Sequence, residues 1–258
     1  MKRSIITTLA LALCIAAFTV NVIAAPQEMS WSCIRCGNSQ PPVTDAETLI
    51  AKYNGFSIDR SVSDTSDKRV LYLTFDVGYE NGNTARILDT LKDTGVPAAF
   101  FILDNIVLRN TDLVTRISSE GHLVCNHTKR HKNVCRMTPA EIADDLTALE
   151  SLCLEKTGVT MAKYFRFPEG RYSEPALRAI SDLGYKSIFW SFAYADWDNK
   201  HQPSPDAAIK KVLENTHNGA VILLHPTSAT NAEILPTLIK QWRADGYTFG
   251  TLDELCGA

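Results

Sequence analysis

From Val70 onward the chain alternates between two hydrophobic periods. Short runs rich in β-branched and aromatic residues fall at Val70–Phe75, Ala98–Ile102, His122–Cys125, Lys163–Phe165, Lys186–Trp190, Ala220–Leu224 and Tyr247–Thr251, and each predicts a strand. Between them lie stretches with apolar residues three and four apart, which predict helices at Thr84–Thr94, Thr111–Glu120, Glu174–Leu183 and Asn231–Asp245. Thr138-Pro139-Ala140-Glu141 reads as a capping box with proline at the first helical position, opening a long helix to about Lys156. Ser204-Pro205 starts another. Strand–helix alternation predicts an α/β protein with a parallel sheet. About seven such units favour a closed or nearly closed (β/α) barrel, and no repeat at a fixed period accompanies them.

Ahead of this pattern the signal changes twice. Lys2 and Arg3 precede an apolar run from Ile5 to Ala17 and a second from Val20 to Ala25, the layout of a secretory signal with a cut after Ala24. The alternative is an uncleaved membrane anchor, because the run nearly suffices to span a bilayer. Residues 1–24 are thus expected to be a signal peptide that exports the chain to the cell wall or exterior. Residues 25–68 form an irregular arm with Pro41-Pro42, a polar run from Ser61 to Asp67 and a short helix near Asp45–Tyr53. Residues 69–258 form the barrel domain.

Composition narrows the class. At 45% apolar and 21% charged residues, the 258-residue chain is neither disordered nor fibrous. Its net charge of −3 becomes −5 once the leader's two basic residues are removed, so nucleic acid is not an expected partner. Oligomeric state is not legible. Cys14 leaves with the leader, and Cys33, Cys36, Cys125, Cys135, Cys153 and Cys256 remain. An exported chain permits disulfides, but spacing does not fix their pairing. The single Cys33-Ile34-Arg35-Cys36 motif is a weak zinc signal without a second pair.

Polar residues that could do chemistry gather where strands end. Asp76 follows Val70–Phe75, His127 and His131 follow His122–Cys125, Arg166 follows Tyr164-Phe165, Asp196 lies beyond Trp190, and His225 follows Ala220–Leu224. In an α/β barrel these ends share one rim, where loops carry the site. A carboxylate such as Asp76 can deprotonate water, and His225 can protonate a leaving amine near neutral pH. His127 and His131 are spaced to share a divalent ion that would polarise the attacked carbonyl. The chemistry this implies is hydrolysis.

The same residues resemble the polysaccharide deacetylases of the NodB-homology family. Thr74-Phe75-Asp76 with Gly78 is similar to that family's first motif, and Asn126-His127-Thr128 with His131 to its second. Arg166-Phe167-Pro168-Glu169-Gly170, Asp196-Trp197 and Leu224-His225 resemble the third, fourth and fifth. The likeness runs in order from about residue 70 to 255. Phe75-Asp76, Gly78-Tyr79-Glu80-Asn81-Gly82, Phe189-Trp190-Ser191 and Asn231-Ala232-Glu233 look more particularly like the delta-lactam-biosynthetic de-N-acetylases, as does Met29-Ser30-Trp31 in the arm. That resemblance implies a deformed (β/α) barrel that removes N-acetyl groups from N-acetylmuramic acid in peptidoglycan strands, a step toward the muramic lactam of spore cortex. N-acetylglucosamine or chitin-like polymers are the alternative substrate.

The resemblance also implies roles. Asp76 would be the general base, His225 the general acid, Arg166 the partner that orients Asp76, and Asp196 the partner that tunes His225. His127 and His131 would hold a divalent metal, zinc first among the candidates. Trp197 and Tyr172 would wall the sugar groove, and the Tyr79 backbone N–H would face the oxyanion. One departure stands out: where the family carries a second, metal-binding aspartate, this chain has Val77. Three readings follow. Metal binds through two histidines with water and substrate, or Cys125 substitutes as a ligand, or catalysis is metal-free or lost, leaving a glycan-binding protein.

Overall fold

Strand β3 shows how the fold places its chemistry. In the computed structural model, which describes residues 27–32, 41–42, 44–62 and 67–257, it spans Val70–Val77 and is buried along its whole length. Its side chains alternate between two environments. Leu71, Leu73, Phe75 and Val77 join an apolar cluster with helix residues such as Ile87, Leu91, Val107 and Leu235. Val70 and Tyr72 join a second cluster with Ala99, Phe101, Cys125, Tyr164 and Val221 from neighbouring strands. The first lies between sheet and helices, and the second fills the barrel. Period-two alternation therefore carries Thr74 and Asp76 to the inner face.

In chain order the elements are β1 (Met29–Ser30), α1 (Glu47–Ala51), β2 (Gly55–Phe56), β3, α2 (Asn83–Thr94), β4 (Ala98–Ile102), α3 (Asp104–Arg109), α4 (Thr111–Ser119), β5 (Leu123–Asn126) and α5 (Pro139–Thr157). They continue as β6 (Ala162–Phe165), β7 (Arg171–Tyr172), α6 (Glu174–Asp182), β8 (Lys186–Ile188), α7 (Pro205–Glu214), β9 (Ala220–Leu224), α8 (Ala229–Ala244), β10 (Thr248–Phe249) and α9 (Leu252–Leu255). Among the described residues, eight strands form one parallel sheet in which β10, β3, β4, β5, β6, β8 and β2 are neighbours in that order, and β9 also pairs with β3. Beyond β8 the chain swings across to β9, bridging Phe192 to Ile222, with the Ser191 N–H donating to the Val221 carbonyl at 3.0 Å. This curls the sheet into the expected α/β barrel.

The differences from the sequence pattern have physical causes. The strand expected at Lys186–Trp190 ends at Ile188, because the following residues cross to β9. The strand expected to Thr251 stops at Phe249, where Thr251 instead caps α9. Helix α3 was not expected: its six residues are too few to show a period. Within the arm, α1 agrees with the expected helix. The antiparallel pair β1–β7 and edge strand β2 depend on long-range pairing. The leader at 1–24, Cys14, Cys33 and Cys36 lie outside the described residues. No described helix is long and apolar enough to cross a membrane.

Candidate active site

Asp76 sits one residue before the end of β3, facing inward. Its Oδ1 accepts a hydrogen bond from Arg166 Nη1 at 2.8 Å, and its Oδ2 lies 3.6 Å from His127 Nε2. Arg166, at the end of β6, is buried. It donates from Nη2 to Thr74 Oγ1 at 2.8 Å and from Nε to the Ile188 carbonyl at 2.9 Å, and its guanidinium lies 4.2 Å from the centre of the Phe101 ring. Every arm of the guanidinium fork is thus directed, which holds its charge on Asp76. Burial by itself would raise the Asp76 carboxyl, but the nearby Arg166, His127 and His225 outweigh it and hold the group below the usual carboxylate range.

His225, just past β9, is built in the opposite sense. Its Nδ1–H donates to Asp196 Oδ1 at 2.7 Å, and its backbone N–H donates to Asp196 Oδ2 at 2.8 Å. Asp196 is 0% exposed and also accepts from Asn231 Nδ2 at 2.6 Å. Burial would lower the His225 imidazole, but the hydrogen bond and charge of Asp196, with Asp76 beyond it, raise it above its ordinary value. Asn231 also donates to the His225 carbonyl at 3.1 Å and accepts from Tyr194 Oη. The sequence carried it only as part of the Asn231-Ala232-Glu233 motif and not as a partner of Asp196, because spacing does not show that the first turn of α8 meets the end of β9. Thr74 likewise entered only as part of the first motif, and its bond from Arg166 was not foreseen although it shares a strand face with Asp76.

The two histidines after β5 are shaped by backbone rather than by helix. Thr128 (φ 66) and His131 (φ 55) are both left-handed, a costly state for non-glycine residues. Asn126 Oδ1 accepts from the Thr128 N–H at 3.0 Å, Asp145 Oδ2 accepts from the Lys129 N–H at 2.6 Å, and Thr128 Oγ1 accepts from the Lys132 N–H at 3.0 Å. The resulting tight loop brings the His127 and His131 rings to 4.9 Å between centroids. His127 Nδ1–H donates to the Arg166 carbonyl at 2.9 Å, which fixes the tautomer and turns Nε2 toward Asp76. Burial lowers its pKa to about 4, so His127 is neutral at pH 7 and its contact with Asp76 is no ion pair.

Asp76, His131 and His225 line one cavity of about 640 Å³, with Phe167, Glu169, Gly170, Trp190, Tyr194, Leu223 and the 62%-exposed Trp197 among its other walls. Tyr79 stands 50% exposed on the loop after β3, its hydroxyl accepting from Asn199 Nδ2. The expected groove wall Tyr172 is a correction. It is 3% exposed and buried among Trp31, Phe167 and Phe189, because its pairing in β7 turns it into that aromatic cluster.

The donor set falls short of a zinc centre. His127 and His131 offer two nitrogens, whereas catalytic zinc has three protein ligands. Val77 is buried on the outer face of β3, one residue out of phase with Asp76. Cys125 does not substitute. Its thiol is buried among Tyr72, Phe101 and Tyr164, and burial pushes its pKa upward, away from the thiolate a metal needs. Among the described residues, no group of three or more His, Cys, Asp or Glu side chains is arranged to hold a metal.

A parallel barrel with a carboxylate and an imidazole tuned in opposite senses on one cavity defines a hydrolase site at the ends of β3 and β9. The polysaccharide deacetylase model matches residues 63–188. The peptidoglycan-N-acetylmuramic acid deacetylase PdaA of Bacillus subtilis is 36% identical over 235 residues, 90% of this chain and 88% of that protein. The structure of PdaA, a family 4 carbohydrate esterase, superposes with a TM-score of 0.83 at 35% identity over 89% of this chain and 97% of its own. A chitooligosaccharide deacetylase of Bradyrhizobium is 32% identical over 66% of this chain and 76% of its own. Wild-type BA3943 of Bacillus anthracis, a CE4 family pseudoenzyme, superposes with a TM-score of 0.67 at 29% identity over 74% of this chain and 66% of its own. The chain belongs to the polysaccharide deacetylase family and is a hydrolase of carbon–nitrogen amide bonds in N-acetylated glycans.

Proposed function

We propose that this protein is exported by residues 1–24 and removes N-acetyl groups from N-acetylmuramic acid residues of peptidoglycan, on the way to the muramic lactam of spore cortex. The observation that carries the chemistry is the pairing on one cavity of Asp76, whose carboxyl Arg166 helps hold below its ordinary range, with His225, whose imidazole Asp196 raises above its ordinary value. Water beside Asp76 loses a proton to its carboxylate as its oxygen attacks the acetamide carbon. The Tyr79 backbone N–H is the candidate donor to the developing oxyanion. The N–H on His225 Nε2 passes its proton to the amine as the C–N bond breaks, releasing acetate. Trp197 offers an aromatic face to a sugar ring.

A divalent ion, zinc by the nitrogen donors, would be held by His127 and His131 and would polarise the carbonyl. Its ligand set is one short, so the steps above are assigned to side chains alone. The choice of muramic over glucosamine residues is supported by the similarity to PdaA over nine-tenths of the chain.

The test is acetate release from de-peptided peptidoglycan and from chitooligosaccharides, with and without chelator, alongside N-terminal sequencing of the exported protein. Asp76→Asn and His225→Ala should each lower the rate by about 10²–10⁴-fold. Full activity in both variants rejects the mechanism, and faster release from chitooligosaccharides rejects the muramic assignment. Val77 supports a second reading, an impaired glycan-binding protein. It requires binding with no acetate release under any divalent metal.

A further inference from the structure

Trp31 comes from the N-terminal arm, yet it is only 6% exposed and reaches two walls of the catalytic cavity. Its indole Nε1–H donates to the Trp190 carbonyl at 2.8 Å, and its backbone N–H donates to the Gly170 carbonyl at 2.8 Å. Its ring lies 4.6 Å from that of Phe189. Trp190 and Gly170 belong to separate segments that pack against each other in the lining of the cavity.

The turn it holds is strained. Glu169 (φ 55) is a non-glycine residue in the left-handed region, a costly state that persists only where its surroundings enforce it, and Gly170 (φ 65) follows in the same region at little cost. A methyl group on Gly170 would lie 2.8 Å from the Trp190 ring and 3.1 Å from Trp31 Cβ, so the turn is wedged between two tryptophans. Glu28, three residues before Trp31, accepts from Arg171 Nη1 at 2.8 Å, and Arg171 Nε donates to Glu169 Oε2 at 2.7 Å. On the other side, the Ile188 and Phe189 carbonyls accept from Arg166, the partner of Asp76.

We propose that Trp31 is a positioning residue for the catalytic cavity. It pins the Glu169–Gly170 turn to the Phe189–Trp190 segment, and so sets the width of the glycan cleft and the backbone acceptors that orient Arg166. Its effect reaches substrate only through those residues. The kinetic half of this inference rests on the deacetylase reading, and the structural half does not.

The experiment compares Trp31→Phe, which keeps a ring but removes the indole donor, with Trp31→Ala. Ile50→Ala is the control, since Ile50 lies in the same apolar cluster but does not line the cavity. Amide hydrogen exchange is followed at residues 167–171 and 189–192, and acetate release is measured across glycan concentrations. Trp31→Phe should speed exchange in both segments and raise KM about 5-fold, with kcat changed less, as expected for one lost hydrogen bond. Trp31→Ala should do more of both. Ile50→Ala should lower Tm while leaving KM and exchange in those segments at wild-type values.

Unchanged exchange in both Trp31 variants overturns the proposal. So does an Ile50→Ala variant that shifts KM and local exchange as far as Trp31→Ala does, because the effect would then be general destabilisation. If the wild-type protein releases acetate from no glycan, the functional reading fails, and the exchange data still decide the role of Trp31.

Discussion

Arg166 carries more of the site than any other single side chain. It is fully buried and ion-paired to a buried carboxylate, so removing it leaves Asp76 in the barrel without a countercharge. Arg166→Ala should cost about 3–5 kcal/mol in denaturant unfolding and abolish acetate release, and Arg166→Lys should rescue little, because an ammonium lacks the planar fork. In the proposed mechanism, with Asp76 as base and His225 as acid, their tuning also sets the pH profile. Asp76 works ionised and is shifted down, so the acid limb of kcat/KM should fall below its ordinary value of 3.8. His225 works protonated and is shifted up, so the alkaline limb should lie above 6.5. Asp196→Asn should move that limb toward lower pH, and a pH–rate profile with an unmoved limb would sink the assignment. The same shifts act on stability. The Asp76 contribution is present above its unfolded pKa and lost as pH falls through its folded value. The His225 contribution is present at low pH and lost as pH rises through its folded value. His122 behaves oppositely to His225. Burial lowers its pKa, and neither ring nitrogen has a hydrogen-bond partner among the described residues. His122→Leu should therefore gain stability relative to wild type as pH falls from 7 to 5, as thermal melts would show.

Helix α5 shows how an element far from the cavity shapes it. Thr138 Oγ1 accepts from the Glu141 N–H, and Glu141 Oε2 accepts from the Thr138 N–H at 2.7 Å, so the helix start is fixed. One turn further on, Asp145 takes the Lys129 N–H, and the Leu146 carbonyl accepts from Asn126 Nδ2 at 3.2 Å. The helix thereby holds the loop that bears His127 and His131. Thr138→Ala should cost about 1 kcal/mol of stability with little change in kcat, because the cap is distant from the loop. Asp145→Ala should loosen the loop itself, seen as faster amide exchange at residues 127–132 together with lower activity.

At the scale of the whole molecule, the barrel closes where the arm meets β9. The Gly219 N–H donates to the Val70 carbonyl at 2.9 Å, and the Asp59 N–H donates to the Gly219 carbonyl at 2.9 Å. Gly219 has φ 75, and a Cβ there would lie 2.4 Å from the Asp59 carbonyl oxygen. Gly219→Ala should cost about 2–3 kcal/mol in chemical denaturation, through the left-handed backbone and the displaced arm. A neutral Gly219→Ala would mean that the arm can part from the barrel without consequence.

Much of this was legible in the sequence because it depends on period and order. Seven of the strand positions and most helices follow from hydrophobic spacing, and alternation along Val70–Val77 already sends Asp76 inward with Thr74 and Val77 outward with Phe75. The candidate base, acid and arginine could be named because strand ends in a parallel barrel share a rim. Contacts between residues remote in the chain could not be read this way. Asn231 on Asp196, Trp31 on Trp190 and Gly170, and the burial of Tyr172 all arise from pairing across some 30 to 160 positions. The sequence by itself determined which residues face the cavity from each strand, since side-chain alternation is local. Only the tertiary structure decided which of them meet, because closing the barrel sets those distances and no local period encodes them.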